Sequence, residues 1–202
     1  MQKKIILDLC GGTGSFSQFY AQDDNYEVKI IDPQVWKGGI DGSGDVRFVV
    51  KFDDPIHGII AAPPCTIFAN SGARWWAGRS EQEKLDGISV MDACLRIAWA
   101  HRDTLKWWVL ENPVGKMKQF LGDPTMSFQP NEYAGYSDNP RENQYTKKTL
   151  LWGDFKIPPK KELPPVDGSK LWKNYGGKSD RTKMMRSMTP DGFAKAFYLH
   201  NK

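Results

Sequence analysis

Short apolar runs alternate with amphipathic patterns along most of the chain. Six of these runs predict strands, and they cover residues 4–9, 27–32, 46–52, 58–62, 107–110 and 149–152. Residues 15–20 predict a helix after the first strand. The alternation of strands and helices favours an α/β fold with a mostly parallel central sheet, flanking helices and right-handed crossovers.

The clearest helix signal lies between the fourth and fifth predicted strands. Ser80 and Glu83 form a capping box, in which each side chain bonds the backbone N–H group of the other residue. Apolar side chains follow at helical spacing, at Leu85, Ile88, Met91, Leu95 and Ala98. The pattern predicts a long helix with this stripe against the sheet. Near the end of the chain, Thr189 and Pro190 predict the start of a last helix that continues to His200.

The segment from residue 156 to residue 186 differs from the rest of the chain. It contains nine Lys or Arg residues against three acidic ones, and it is rich in Pro and Gly. This composition is typical of loops, and a solvated loop is the ordinary interpretation of a run of charge. The chain has 202 residues, which suits a single domain over residues 1–202 with 156–186 as a basic, loop-rich insert.

Composition narrows the class of protein without identifying it. The apolar content of 40% is ordinary for a globular protein, and the net charge of +4 favours a polyanionic partner only mildly. The apolar runs are shorter than the roughly 18 residues that span a bilayer, and the first is too short for a signal peptide. The three cysteines, at positions 10, 65 and 94, match neither a disulfide framework nor a metal-binding spacing. We therefore expect a cytoplasmic protein with neither a membrane nor a metal as partner.

A glycine-rich turn follows the first predicted strand. Gly11, Gly12 and Gly14 come directly after this apolar run, and glycines there let a ligand approach the backbone closely. Asp32 ends the second predicted strand, where an acid can accept hydrogen bonds from ribose hydroxyl groups. The pair favours a nucleoside-type cofactor, although a tight turn and a strand-end acid each have an ordinary structural explanation alone.

A proline pair and a cysteine follow the fourth predicted strand. Pro63 and Pro64 stiffen the backbone and remove two N–H donors, so the loop that presents Cys65 is held in one shape. A cysteine at the carboxyl edge of a sheet is a candidate nucleophile if its pKa is lowered. The ordinary alternative is that the cysteine is a small buried apolar residue.

Polar residues also follow the fifth predicted strand. Glu111 and Asn112 come directly after the run that ends at Leu110. A carboxyl group in a ligand crevice can be kept protonated by partial burial, and the alternative is an ion pair at the surface. Lys147 and Lys148 add a basic pair just before the sixth predicted strand.

In this order, the motifs resemble those of the DNA cytosine-5 methyltransferases, especially the short phage-type forms that lack a large target-recognition domain. The similarity extends through nearly the whole chain. Residues 7–17 resemble the family's first motif, Pro63-Pro64-Cys65 its catalytic motif and Glu111-Asn112 its glutamate motif. Residues 144–148 are similar to its Gln-x-Arg-x-Arg motif, and residues 189–196 are similar to its last motif.

The resemblance implies a Rossmann-like class I methyltransferase that binds S-adenosylmethionine, with the C-terminal helix packed near the cofactor. It implies methylation of cytosine at carbon 5 in DNA through a covalent cysteine adduct. The implied catalytic residues are Cys65 as nucleophile, Glu111 at the ring edge of the base, and Lys148. The implied cofactor-binding residues are Asp8, Gly11, Gly12, Gly14, Phe16, Asp32, Pro33, Asp45 and Pro63. The implied substrate or nucleic-acid contacts are Asn112, Gln144, Lys147, Trp172 and Lys173.

The chain departs from the family pattern in three ways. Cys10-Gly11 stands where the family has Phe-Cys, which removes a ring that would stack on the cofactor. Thr146 and Lys148 replace two arginines, and lysine lacks the planar guanidinium fork. The stretch between the sixth predicted strand and the last motif is too short for a domain that reads bases in the major groove. We therefore expect low sequence specificity, with the basic insert holding phosphates and stacking a base.

Other functions stay open from the sequence. The same cysteine chemistry could act on free cytidine nucleotides or RNA, or could transfer a different group. A catalytically silent DNA-binding protein is a further alternative, although such a protein has no need of Cys65 and Glu111. An amino-group methyltransferase is disfavoured, because that class usually has an acidic residue or Asn before the proline pair, where this chain has Ala62.

Overall fold

Six β-strands form one sheet in the computed structural model, which describes residues 2–33, 44–69, 76–168 and 187–202. The strands are β1 (Lys4–Leu9), β2 (Tyr26–Ile31), β3 (Ile56–Ala61), β4 (Trp107–Pro113), β5 (Met126–Phe128) and β6 (Thr149–Asp154). Their order across the sheet is β2-β1-β3-β4-β6-β5. Strands β1 to β4 run parallel to one another, and β6 is antiparallel to both β4 and β5.

Helices connect the strands of the described part of the chain. The α-helices are α1 (Gln18–Ala21), α2 (Glu81–Ala100), α3 (Lys118–Leu121), α4 (Pro140–Asn143) and α5 (Asp191–His200). Short 3-10 segments cover Val46–Phe48, Trp76–Gly78 and Pro130–Tyr136. The predicted capping box is present, because the Ser80 hydroxyl accepts from the Glu83 N–H and the Glu83 carboxylate accepts from the Ser80 N–H. The result is an α/β protein with a mixed six-stranded sheet flanked by helices.

The sheet separates two apolar cores, because successive side chains of a strand point to opposite faces. On one face, Leu7 and Ile59 pack in the same cluster as Ile97 of α2. On the other face, Ile60 packs in a cluster with Phe193 of α5. The long predicted helix and the C-terminal helix therefore cover opposite faces of the sheet.

Most predicted elements are confirmed, and three details are wrong. Residues 46–52 form no strand, because the Asp45 carboxylate accepts from the Arg47 N–H and caps a 3-10 turn there. Leu85 was assigned to the buried stripe of α2 but is 58% exposed, since the buried residues of that helix begin at Met91. The C-terminal helix begins one residue later than predicted, with Pro190 rather than Thr189 at its N-cap.

One edge of the sheet collects the segments that carry the sequence motifs. Strands β1, β2, β3 and β4 end there, because they are parallel. Strand β6 begins at the same edge, since its first residue, Thr149, is opposite Pro113, the last residue of β4. The turns after β1 and β3, the loop after β4 and the loop before β6 therefore meet at this edge.

The helices were also compared with the dimensions of a bilayer. Of those in the described ranges, none combines the length and the apolar character that crossing a membrane requires.

Candidate active site

The glycine turn after β1 exposes its backbone toward the sheet edge. Cys10 and Gly12 have left-handed backbone angles, with φ of 57° and 51°. A Cβ atom on Gly12 would have no neighbour within 4 Å among the described residues, which leave open space in front of Gly12. A Cβ atom on Gly11 would lie 2.4 Å from the Asp8 carboxyl carbon, so this position has no room for a side chain. The turn is thus a cradle that a ligand can approach on one side.

Asp8 lies beneath this turn with its carboxyl group enclosed in the protein. The residue is 1% exposed, and the Ser17 hydroxyl donates a hydrogen bond to its Oδ2 atom at 2.5 Å. Burial raises the pKa of Asp8 to about 7, against the lowering effect of the Ser17 hydrogen bond. Its Oδ1 atom has no hydrogen-bond partner among the described residues. This carboxyl group therefore keeps an unused oxygen next to the turn.

The acid at the end of β2 holds the turn from the other side. The Gly12 N–H donates to the Asp32 Oδ2 atom at 3.0 Å, and Asp32 is 6% exposed. The Cys10 thiol contacts the thiol of Cys94. This contact and burial raise the pKa of Cys10. The open space at Gly12, next to the Asp32 carboxylate, is a place where a ligand could bind.

Three other residues assigned to the cofactor have different surroundings. The Phe16 ring is 4% exposed and packs against the rings of Phe193 and Phe197. Its side chain therefore belongs to the core beneath the turn. The Asp45 carboxylate is paired with the Arg47 guanidinium group at 2.5 Å. Pro33 is exposed directly after Asp32. A contact of these side chains with a cofactor stays a prediction.

The loop after β3 presents the candidate nucleophile. Pro63 is buried, whereas Cys65 is exposed. The Cys65 carbonyl accepts hydrogen bonds from the N–H groups of Phe68 and Ala69, at 3.1 and 2.7 Å. One strand connection joins this loop to the glycine turn, because the Ala62 N–H donates to the Leu9 carbonyl at 2.9 Å. The cysteine is thus held by its own backbone while its side chain reaches the surface.

The loop that carries Cys65 (residues 62–69, the nucleophile loop) is bonded to the end of β4 and the segment that follows it. The side-chain amide of Asn112 donates to the Pro63 carbonyl at 2.9 Å. Further along, Ala69 pairs with Gly115 in an isolated β-bridge. The approach is so close that a Cβ atom on Gly115 would lie 1.8 Å from the Phe68 carbonyl oxygen. The two loops are therefore joined at two places, one near each end of the loop that carries Cys65.

Glu111 lies beside these two loops at the end of β4. Leu110 pairs with Ala61 in the parallel register, so Glu111 continues β4 just as the nucleophile loop leaves β3. The residue is partly exposed, and burial raises the pKa of its carboxyl group, while the charge of Lys147 lowers it. Burial is the larger of the two effects. A protonated carboxyl group can donate a hydrogen bond, which an ordinary surface glutamate at neutral pH does not do.

The two lysines before β6 differ in their surroundings. Lys147 is half-buried and close enough to Glu111 to affect its pKa, and its Nζ atom donates to the Met188 carbonyl at 3.4 Å. Lys148, which the resemblance assigns to catalysis, is exposed. Next to Met188, the Thr189 N–H donates to the Ser15 hydroxyl of the glycine turn. Lys147, rather than Lys148, therefore acts on the Glu111 carboxyl group and also bonds Met188, the neighbour of the residue that bonds the glycine turn.

The first part of the basic segment is anchored to the domain. The Gln144 side-chain amide donates to the Pro164 carbonyl at 2.9 Å. The backbone carbonyl of Gln144 accepts from the Val166 N–H at 2.9 Å. Tyr133 donates its hydroxyl to the Pro158 carbonyl. The contact of Gln144 with nucleic acid stays a prediction; in the structure its side-chain amide bonds Pro164. Trp172 and Lys173 lie outside the described residues.

Several residues of this site were not singled out from the sequence. Ser17 binds the buried Asp8 carboxyl group, and Gly115 permits the close approach of the two loops. A serine soon after a glycine turn and a glycine soon after Glu-Asn-Pro are weak signals, because both are common in ordinary turns. Within the described ranges, His, Cys, Asp and Glu side chains form no group of three or more that could hold a metal ion.

The chain was compared with known proteins. Neither the family models nor the curated protein sequences contain a match to it.

Proposed function

We propose that this protein is an S-adenosylmethionine-dependent methyltransferase that modifies carbon 5 of cytosine in DNA, with Cys65 as the nucleophile. One observation carries the proposal. An exposed cysteine lies on a loop that is bonded to the Glu111-Asn112 segment, at the sheet edge that also bears the glycine turn. A nucleophile, a partly buried carboxyl group and a cofactor cradle thus share one edge. This arrangement supports a Rossmann-like methyltransferase of class I.

The glycine turn supports the choice of cofactor. Asp32 offers a carboxylate for ribose hydroxyl groups. Gly11 and Gly12 would let the ligand lie against the backbone. S-adenosylmethionine, when bound, supplies an electrophilic methyl group on a sulfonium centre. The acidic surroundings suit that positive charge better than they suit an anionic phosphate ligand.

The chemistry of cytosine explains why both Cys65 and Glu111 are required. Carbon 5 is a weak nucleophile, so the Cys65 thiolate first adds to carbon 6 and forms a carbon–sulfur bond. The ring electrons move toward N3, where the protonated Glu111 carboxyl group donates a hydrogen bond and stabilises them. The activated carbon 5 would then take the methyl group, and the cofactor would leave as a neutral thioether that keeps the electron pair of the broken sulfur–carbon bond. Loss of the proton from carbon 5 restores the ring double bond and breaks the carbon–sulfur bond, which releases Cys65.

The charge at the site edge supports a polyanionic substrate. Lys116 lies in the loop bonded to the nucleophile loop, and Lys147 and Lys148 precede β6 at the same edge. Lysines bind phosphates as point charges without reading the sequence. In duplex DNA the target base would have to leave the stack to reach the exposed Cys65. We therefore propose DNA as substrate, with low sequence specificity.

The proposal is tested by trapping the covalent adduct. The protein is incubated with labelled S-adenosylmethionine and a DNA oligonucleotide that contains 5-fluorocytosine. Fluorine at carbon 5 cannot leave as a proton does, so the carbon–sulfur bond persists after transfer. We expect a labelled adduct that survives denaturation, and its mass shows that the transferred group is a methyl. Cys65→Ser should form no adduct, whereas Cys94→Ala, which changes a buried core cysteine, should still form it.

Parallel reactions separate the alternatives. The same analogue is offered in RNA and as the free nucleotide, and labelling of either in preference to DNA would replace DNA as substrate. An adduct of another mass would show a different group. DNA binding by a folded protein that forms no adduct with any substrate would overturn the enzymatic proposal in favour of a binding protein.

A further inference from the structure

The proline pair before Cys65 raises a question of anchoring. Neither Pro63 nor Pro64 has a backbone N–H group, so this segment can be held only through its carbonyl oxygens or by packing. The Asn112 side chain supplies the missing donor, because its Nδ2 atom bonds the Pro63 carbonyl at 2.9 Å. Asn112 is 1% exposed, so water does not compete for this bond.

The oxygen atom of the Asn112 amide also indicates that the hydrogen bond to Pro63 is the reason for an asparagine here. Its Oδ1 atom is buried and has no hydrogen-bond partner among the described residues. An unsatisfied buried oxygen is unfavourable, and an apolar side chain of similar size would avoid it. A polar amide at this position is therefore explained by the bond that its Nδ2 atom makes.

The position of Asn112 in β4 links this bond to the chemistry. Glu111 and Asn112 are consecutive strand residues, so their side chains point to opposite faces. Asn112 bonds the loop that carries Cys65, while Glu111 faces Lys147. Glu111, whose carboxyl group would bind the base, is therefore directly bonded through the backbone to Asn112, which holds the loop of Cys65. A shift of about 1 Å in such a geometry can cost on the order of a hundredfold in rate.

We infer that Asn112 is a positioning residue that sets the location of the Cys65 thiol relative to Glu111, rather than a contact to the substrate. This inference rests on the proposed function, in which Cys65 is the nucleophile. It replaces the assignment of Asn112 to substrate binding that the resemblance implies. The bridge between Ala69 and Gly115 extends the same attachment, but it holds the far side of the loop.

The test compares three Asn112 variants with a matched buried asparagine. Asn131 is 5% exposed, and its Nδ2 atom also donates to a backbone carbonyl, that of Leu163 at 3.2 Å, away from the site. Asn112→Ala and Asn112→Asp remove the donor, the second with almost unchanged shape, whereas Asn112→Gln retains an amide. The rate of adduct formation with the 5-fluorocytosine oligonucleotide is measured at saturating oligonucleotide and cofactor, together with the dissociation constant of each.

We expect Asn112→Ala and Asn112→Asp to slow adduct formation about tenfold to a hundredfold with less than threefold change in either dissociation constant. Asn131→Ala should lower the unfolding midpoint by a similar amount and leave the adduct rate within threefold. Partial rescue by Asn112→Gln would support the donor as the cause. A weaker affinity for the oligonucleotide at an unchanged adduct rate would instead make Asn112 a substrate contact and overturn the inference.

Amide hydrogen exchange gives a readout that does not depend on activity. The Phe68 and Ala69 N–H groups bond the Cys65 carbonyl, so they report how firmly the loop is held. We expect exchange of these amides to accelerate in Asn112→Ala and to stay unchanged in Asn131→Ala. If the wild type forms no adduct while the exchange result holds, the proposed function fails and the anchor remains. Unchanged exchange in Asn112→Ala would remove the anchor itself.

Discussion

The two loops at the site edge hold their functional groups in opposite ways. The turn after β1 encloses its side chains, with Asp8 and Asp32 buried, and turns its backbone toward open space. The loop after β3 encloses its backbone anchors, with Pro63 buried against Asn112, and turns the Cys65 side chain outward. The first arrangement leaves space for a ligand beside the main chain. The second arrangement exposes the Cys65 side chain.

This contrast predicts which kind of substitution each loop tolerates. In the turn, an added side-chain atom meets a buried carboxyl group that has no room to withdraw. In the loop that carries Cys65, the loss of the Asn112 hydrogen-bond donor would displace the exposed side chain. Three further substitutions test whether the two loops are as separate in function as they are in construction.

The largest effect is expected at the carboxyl group beside the nucleophile loop. Glu111→Gln keeps the shape and removes the acidic proton, so we expect adduct formation to slow roughly 100- to 1,000-fold, as when a transition-state hydrogen-bond donor is lost. Because burial raises the pKa of Glu111, the wild-type rate should contain a limb that falls as this group ionises, and the variant should lack that limb. Rates from pH 5 to 9 measure both.

Cofactor binding should be unchanged in Glu111→Gln, since the turn is a separate structure. Glu132→Gln is the matched control, because Glu132 is half-buried but bonded to Lys160 away from the site. An adduct rate within threefold of wild type in Glu111→Gln would remove Glu111 from the mechanism.

A smaller effect is expected in the turn. Gly11→Ala places a Cβ atom 2.4 Å from the Asp8 carboxyl carbon, and the resulting shift should weaken cofactor binding about fivefold to a hundredfold, the equivalent of roughly 1–3 kcal/mol of overpacking. Calorimetric titration with S-adenosylmethionine measures this change. Gly78→Ala is the control, because the added atom has no neighbour within 4 Å among the described residues and the backbone of Gly78 is not in the left-handed region.

The separation of the two loops gives Gly11→Ala a second readout. Alkylation of Cys65 by iodoacetamide should proceed at the wild-type rate, because the cysteine is held by β4 rather than by the turn. A parallel loss of cofactor affinity and Cys65 reactivity would show that the two loops are one structure.

The smallest effect on activity, but a clear one on stability, is expected for Asp8→Asn. The pKa of Asp8 in the folded protein is raised from 3.8 to about 7, so the folded state binds this proton more tightly than the unfolded chain. The stabilisation is complete below about pH 4 and is lost as the pH rises through about 7. Between pH 5 and pH 8 the wild type should lose on the order of 2 kcal/mol of unfolding free energy from this group.

Urea denaturation at the two pH values tests the Asp8 prediction. Asp8→Asn keeps an acceptor for Ser17 and should remove most of this dependence. Asp54→Asn, at an exposed acid, should leave it in place. An equal pH dependence in wild type and Asp8→Asn would contradict the enclosure of this carboxyl group.

The sequence predicts those features that depend on neighbouring residues in the chain. The glycine turn, the capping box at Ser80 and the proline pair before Cys65 are local, so the rules for turns and caps describe them. Strand β5 was not predicted, because three residues are too few to show alternation. Residues 46–52 looked like a strand by composition, and the Asp45 cap decided otherwise.

Contacts between distant segments could not be read from the sequence. The bond from Asn112 to Pro63 spans 49 positions and depends on the register between β3 and β4. The selection of Lys147 over Lys148 depends on which face each side chain takes just before β6. Motif matching could not show this difference, because it aligns positions in the chain and not directions in space.

The reversed direction of β6 has a consequence for grafting new modules onto this scaffold. A strand rises about 3.3 Å per residue, so the two ends of this strand lie roughly 17–20 Å apart. A module spliced in ahead of Thr149 would emerge next to the carboxyl end of β4. One spliced in after Asp154 would emerge at the far side of the sheet, beside Trp108, and would need a linker to reach back. A module meant to lie at the edge near Cys65 would therefore be inserted before this strand.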